Sequence, residues 1–150
     1  MEELVERAGM YFENGIIDRA IADCTEAIRL DPNFSFAYEM RGAFHYTIKN
    51  FYMAIADYTE TIKLGPNIKG DNYYMRGIVY CSIANYHMAV ADFTEAIRLS
   101  PDAYYYYICR GLTYERMGEK NRANSDYQTA LKLNSYSAKY RNEMKLLLGW

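Results

Sequence analysis

Apolar and small residues recur along the chain at steps of three and four, as in Tyr38, Gly42 and His45, or in Ala54, Tyr58, Thr61 and Ile62. That spacing lines one face of a helix, whereas a strand would alternate at every second residue. The helical pattern is itself repeated. The stretch Ala20-Ile21-Ala22-Asp23-Cys24-Thr25-Glu26-Ala27-Ile28 returns as Ala54 to Ile62, as Ala89 to Ile97 and, more loosely, as Ala123 to Leu131, at spacings of 34, 35 and 34 residues. A second recurring stretch lies upstream of each: Arg7-Ala8 then Tyr11, Arg41-Gly42 then His45, Arg76-Gly77 then Tyr80, and Arg110-Gly111 then Tyr114. Each period therefore holds two helices, and self-similarity at a period of this size marks a repeat architecture.

Stop signals fall where the period wants them. Asn14-Gly15 and Met117-Gly118 offer a glycine for a left-handed cap at the end of the first helix, and Asn50 and Asn85 are the nearest substitutes in the middle periods. The second helix ends at Asp31-Pro32, Gly65-Pro66 or Ser100-Pro101, because proline disfavours helix in the residue before it. Arg29, Lys63, Arg98 and Lys132 occupy the last turn, where a cation opposes the negative end of the helix dipole.

With units of 1–34, 35–68, 70–103 and 104–137, the chain resembles the tetratricopeptide-repeat family. The first large position holds Leu4, Tyr38, Tyr73 and Tyr107, and the small one Ala8, Gly42, Gly77 and Gly111. Close-approach alanines are Ala20, Ala54, Ala89 and Ala123, with Cys24, Tyr58, Phe93 and Tyr127 as the plug against them, and Ala27, Thr61, Ala96 and Ala130 as the second small position. This is a packing code: small residues let two helices approach, and a large side chain fills the gap beside them. Arg stands in place of the family's leucine before the small residue in all four units, Ser135 replaces the last proline, and one residue near Lys69-Gly70 is extra. The resemblance implies an all-α, right-handed superhelical solenoid of four helix-turn-helix repeats, a single domain over 1–150. Residues 138–150 form a C-terminal cap helix with Tyr140, Met144, Leu147 and Leu148 on one face. The N-terminus has no comparable cap, which also suits one piece of a longer array.

Composition narrows the function. Seventeen basic and 19 acidic side chains leave a net charge of -2 with no long run of either sign, so the field that gathers nucleic acid or an anionic membrane is absent. The three cysteines, Cys24, Cys81 and Cys109, are odd in number and far apart, as in a reducing compartment. With no apolar run approaching a membrane span and an acidic start that is no signal peptide, the expected location is cytoplasmic. Two histidines, no phosphate-binding glycine loop and no nucleophile elbow give no catalytic constellation, and no cofactor or metal site is expected. The Arg7, Arg41, Arg76, Arg110 ladder is matched by an Asp23, Asp57, Asp92, Asp126 ladder. Shared register predicts each Asp paired with the Arg of the next unit, as Asp23 with Arg41; the alternative is an Arg ladder gripping an anionic ligand.

In the family the first helices line a concave groove that receives a peptide or helix. Carried over position by position, the resemblance implies a groove from Val5, Phe12, Phe36, Glu39, Met40, Tyr46, Asp71, Tyr74, Met75, Ile78, Tyr105, Ile108, Cys109, Leu112 and Arg116. The carboxylate clamp of chaperone-tail binders is missing, since its places hold Val5, Gly9, Met40, Asp71 and Met75. The expected function is a protein-protein interaction scaffold with a protein or peptide partner. The alternative is a self-associating, homo-oligomeric module. The acidic Glu2, Glu6, Glu13, Glu39 and Asp71 disfavour RNA. Of the 17 tyrosines, Tyr46, Tyr74 and Tyr105 fall on groove positions, nine fall on the packing code, and five, Tyr106 among them, on neither.

Overall fold

The computed structural model describes residues 1–65 and 70–150; Pro66 and the extra residue at Lys69 lie outside them. Among the described residues all regular structure is α-helical: α1 (Glu2–Glu13), α2 (Ile17–Leu30), α3 (Ser35–Thr47), α4 (Phe51–Leu64), α5 (Gly70–Ser82), α6 (Tyr86–Leu99), α7 (Tyr104–Arg116), α8 (Lys120–Leu133) and α9 (Ser137–Leu147). The chain divides into two compact units, 1–68 and 69–150. In the first, α1 packs with α2 and α3 with α4, while α2 also packs on α3; in the second, α5 packs with α6, α7 with α8, and α6 on α7.

The tightness of these hairpins has a single cause. A Cβ added to Gly77 would lie 2.7 Å from the Phe93 ring, one added to Gly111 2.7 Å from the Tyr127 ring, and one added to Gly42 3.3 Å from the Tyr58 ring. The plug of the second helix thus lies on the bare backbone of the first, inside the space a side chain would take. In the first hairpin the same site holds Ala8, and there the plug is the small Cys24; both are fully buried. Around them Ala20 and Phe44 complete one buried cluster, and Val5, Ala27 and Ala37 form another, with Met40 packed against both.

The turns inside the hairpins correct one expectation. Gly15 and Gly118 take the left-handed conformation, at φ 73° and 79°, but in the middle periods it is Lys49 (φ 61°) and Ala84 (φ 57°) that do so, not Asn50 and Asn85. The geometry is dictated by hydrogen bonding. In every hairpin the residue after the left-handed one returns its N–H to the carbonyl five residues back: Ile16 to Tyr11, Asn50 to His45, Asn85 to Tyr80 and Glu119 to Tyr114, at 2.8–2.9 Å. Asn50 and Asn85 instead stand one residue on, as N-caps of α4 and α6.

The charge ladders also pair differently from expectation. Each Arg grips the Asp of its own hairpin, 16 residues on. Arg7 binds Asp23 through Nε and Nη2 at 2.6 and 2.8 Å, Arg41 binds Asp57 at 3.0 and 2.7 Å, Arg76 binds Asp92 at 2.8 and 2.8 Å, and Arg110 binds Asp126 at 2.9 and 2.8 Å. Two helices pressed together by a ring on glycine bring positions 7 and 23 of the repeat into register, while the offset of 18 to the next unit does not. Towards the preceding hairpin, Arg41 and Arg110 donate Nη1 only to the hydroxyls of Thr25 and Thr94, both at 3.1 Å. The cap helix differs in one detail: Leu147 is largely exposed and Met144 is the buried anchor.

Three stability outcomes follow. Gly77→Ala should cost about 1–3 kcal/mol through overpacking against Phe93. In the double change with Phe93→Cys, which copies Ala8 with Cys24, urea denaturation should show the two losses to be non-additive by about 1 kcal/mol or more in the favourable direction. Ala84→Gly should raise the thermal midpoint, since it relieves about 1 kcal/mol of left-handed strain.

Candidate functional site

The first helices of the hairpins carry the groove positions, and each unit presents them differently. In unit 1–68, helical spacing places Phe36, Glu39, Met40, Ala43 and Tyr46 on one face of α3, and Glu2, Val5, Glu6, Gly9, Phe12 and Glu13 on one face of α1. Val5 is buried beneath that surface, and the Met40 methyl lies over Gly9, 3.8 Å from where a Cβ would stand. Phe36 is 48% exposed and meets Phe34 edge-on, Phe12 is 37% exposed and stacks on Phe44 at 4.8 Å, and Tyr46 tilts against Phe51 at 5.8 Å. The result is a half-open aromatic surface with glutamates on the same helix faces.

In unit 69–150 the corresponding positions are mostly covered. Ile78, Ile108, Cys109 and Leu112 are buried, at 1–3% exposure. Tyr74 is wedged among Phe93, Tyr105 and Tyr106, with centroids 5.4–6.1 Å away, and its hydroxyl meets that of Tyr140 at 2.8 Å. Asp71 accepts hydrogen bonds from the hydroxyls of Tyr105 (3.0 Å) and Tyr106 (2.7 Å) through one oxygen. Tyr106 is among the largest fully buried side chains. It fits because Gly70 has no side chain: a Cβ there would lie 2.8 Å from the Tyr106 hydroxyl. Met75 is half-buried, and Arg116 is exposed with its guanidinium 4.9 Å from the Trp150 ring centroid.

The cover is α9, which packs chiefly on α7 rather than α8. Tyr140 sits edge-on to Tyr104 and Tyr105 at 5.7 and 6.2 Å, Met144 lies 4.0 Å from the Tyr74 hydroxyl, and Arg141 lies over the Tyr127 ring at 3.9 Å. Glu115 collects three partners: Tyr127 donates to it at 2.7 Å, Lys145 at 3.2 Å, and Arg141 pairs at 3.6 Å. Those contacts hold its carboxyl below the usual carboxylate range, with the Tyr127 hydrogen bond contributing most. Burial pushes the Tyr140 hydroxyl up to about 12, so it stays protonated and able to donate. At the end of the seat, a cleft of about 300 Å³ is lined by Leu112, Glu115, Arg116, Lys145 and Trp150.

The reactive side chains are quenched by their surroundings. Burial pushes the Cys24 and Cys81 thiols up to about 12 and the Cys109 thiol upward as well, so none is a thiolate near neutrality. His45 is buried, and burial lowers its pKa although Asp57 lies 3.9 Å from its Nε2. All four ladder arginines spend two donors on aspartate, so they do not present an anion-gripping fork. Instead their planes serve packing: Arg41, Arg76 and Arg110 lie over Tyr38, Tyr73 and Tyr107 at 5.6–5.9 Å. No helix among the described residues is long and apolar enough to cross a membrane.

Residues 70–103 and 104–136 each match the tetratricopeptide-repeat family model. No curated protein sequence matches the chain. Among solved structures, MamA is similar at 27% identity over 93% of this chain and 81% of its own, with a TM-score of 0.85. YrrB, described as a TPR protein with an unusual peptide-binding site, is 18% identical over 97% of this chain and 80% of its own, with a TM-score of 0.77. The TPR domain of Arabidopsis OM64 is 25% identical over 73% of this chain and 91% of its own, with a TM-score of 0.66.

The ladder pairs are expected to differ in worth. The side chains of Arg41 and Asp57 are 15% and 3% exposed, whereas Arg7 is 55% exposed. Asp57→Ala strands a guanidinium in a partly dry site and should cost about 2–3 kcal/mol, short of a fully buried pair. Asp23→Ala should cost far less, and denaturant midpoints of the two variants measure the contrast.

Proposed function

As a tetratricopeptide-repeat protein, this chain is, we propose, a non-catalytic interaction scaffold whose first-helix faces receive a peptide or helix of a partner protein. The observation that carries the reading is the half-exposed aromatic surface of Phe12, Phe36 and Tyr46, set on helix faces that also carry Glu2, Glu6, Glu13 and Glu39. Flat rings bury area at low entropic cost, and a desolvated aromatic is the usual anchor of an interface. The acidic surroundings select a segment with apolar anchors and basic flanks, since opposite charge steers encounter and suppresses wrong partners. The same acidity works against a phosphate backbone. The quenched thiols and the buried, downward-shifted His45 support a scaffold over an enzyme. Self-association is the second reading, favoured by the exposed Leu146, Leu147 and Tyr136 near the C-terminus.

The test is selection of displayed peptides on the full chain. Enriched peptides should carry aromatic or aliphatic anchors next to Lys or Arg. Phe36→Ala should weaken them about tenfold or more, the scale of one anchor, with unchanged helicity and melting temperature. Equal affinity for Phe36→Ala would overturn the site, and concentration-dependent sedimentation without peptide enrichment would favour self-association.

A further inference from the structure

Helix α9 does more than end the chain. A terminal helix that only shielded the last hairpin would spread over α7 and α8 alike; α9 lies chiefly on α7 and reaches past it to Tyr74 of α5. It therefore occupies the face that the first helices of this unit present. Its contacts repeat with helical spacing. Tyr140 meets the Tyr74 hydroxyl at 2.8 Å and the Tyr104 and Tyr105 rings, and Met144, four residues on, is buried beside the same Tyr74 hydroxyl. The residue after each anchor is basic, and both Arg141 and Lys145 pair with Glu115. The helix thus displays an aromatic, a cation, two spacers, an apolar residue and a second cation.

The seat is imperfect. Arg141 Nε is buried with no acceptor, and an unmade bond at a buried donor is a cost that a better-matched ligand would avoid. Only Ser137 and Met144 of α9 are buried, and Leu146 is 82% exposed. Few buried contacts place an element at the low end of local stability. Because the chain itself holds α9 at high effective concentration, even such a modest fit keeps the site filled when no competitor is present.

We propose that α9 is a displaceable internal ligand of unit 69–150, and that the site is built for a partner's amphipathic helix with the same order of aromatic, basic, two spacers, apolar, basic. The inference rests on the scaffold reading and adds the partner's chemistry and its regulation: the partner pays the cost of expelling α9, so its apparent affinity falls by the fraction of time the site is open.

The probe is a fluorescein-labelled peptide of residues 134–150, offered to the full chain. It should bind Tyr140→Ala/Met144→Ala at least tenfold more tightly than it binds the wild type, and adding Glu115→Lys to that variant should remove the gain. Should the double variant lose its cooperative melt, Lys145→Glu, a change at a half-buried position that breaks the Glu115 pair, should still tighten binding severalfold. In the wild type, Trp150 is the sole tryptophan and packs on Tyr86 and under Arg116. Saturation with the unlabelled peptide carrying Trp150→Phe should red-shift its emission. Equal affinity of wild type and both α9 variants, or an unmoved Trp150 emission at saturation, would overturn the proposal. Neither result touches the Phe36-dependent peptides of unit 1–68, so loss of those peptides and failure of this competition are separate outcomes.

Discussion

The structure rests on a ring lying where a side chain is missing. Phe93 on Gly77 and Tyr127 on Gly111 occupy space that a Cβ would claim, and Tyr58 comes nearly as close to Gly42. This contact sets the separation of the two helices in a hairpin, and the remaining features depend on that separation. It brings the arginine of the first helix onto the aspartate of the second. Dispersion and burial at the contact are non-directional, yet the absent side chain gives them an address, which is how a packing rule specifies one register. The Ala8 and Cys24 pair meets the same constraint with the volume divided the other way.

The two units put equivalent faces to different uses. On α1 and α3 the rings stay half-open beside glutamates, whereas on α5 and α7 they are drawn into a tyrosine cluster closed by α9. On the closed face Glu115 is answered by Arg141 and Lys145 of α9.

Much of this was legible in the sequence, and the failures are instructive. Helix identity and hairpin boundaries follow from local rules, so spacing, proline and glycine locate them. The position of the left-handed residue was harder, because Lys49 and Ala84 obey the hydrogen-bonding pattern of the turn against their own preference. The register between the charge ladders is not legible in the sequence, because two ladders of equal period look alike at any offset; only the hairpin's closeness selects 16 residues over 18 or 19. Tyr106 sits in a run of four tyrosines, and nothing in that run singles it out until Gly70 opens space for it. The cover over Tyr74, Tyr104 and Tyr105 is hidden in the sequence for a related reason: the amphipathic pattern of 138–150 announces an apolar face without saying what that face meets.

The arginine–aspartate bond closes within a hairpin, while the reach from Arg41 and Arg110 to the hairpin before is made to a neutral threonine. The ladder pairs therefore leave no member unpaired when a hairpin is duplicated, deleted or transplanted. A change of length by whole repeats keeps every arginine–aspartate pair intact, and what has to be re-matched at a new junction is the rest of the seam, the Glu115 pairs with α9 included.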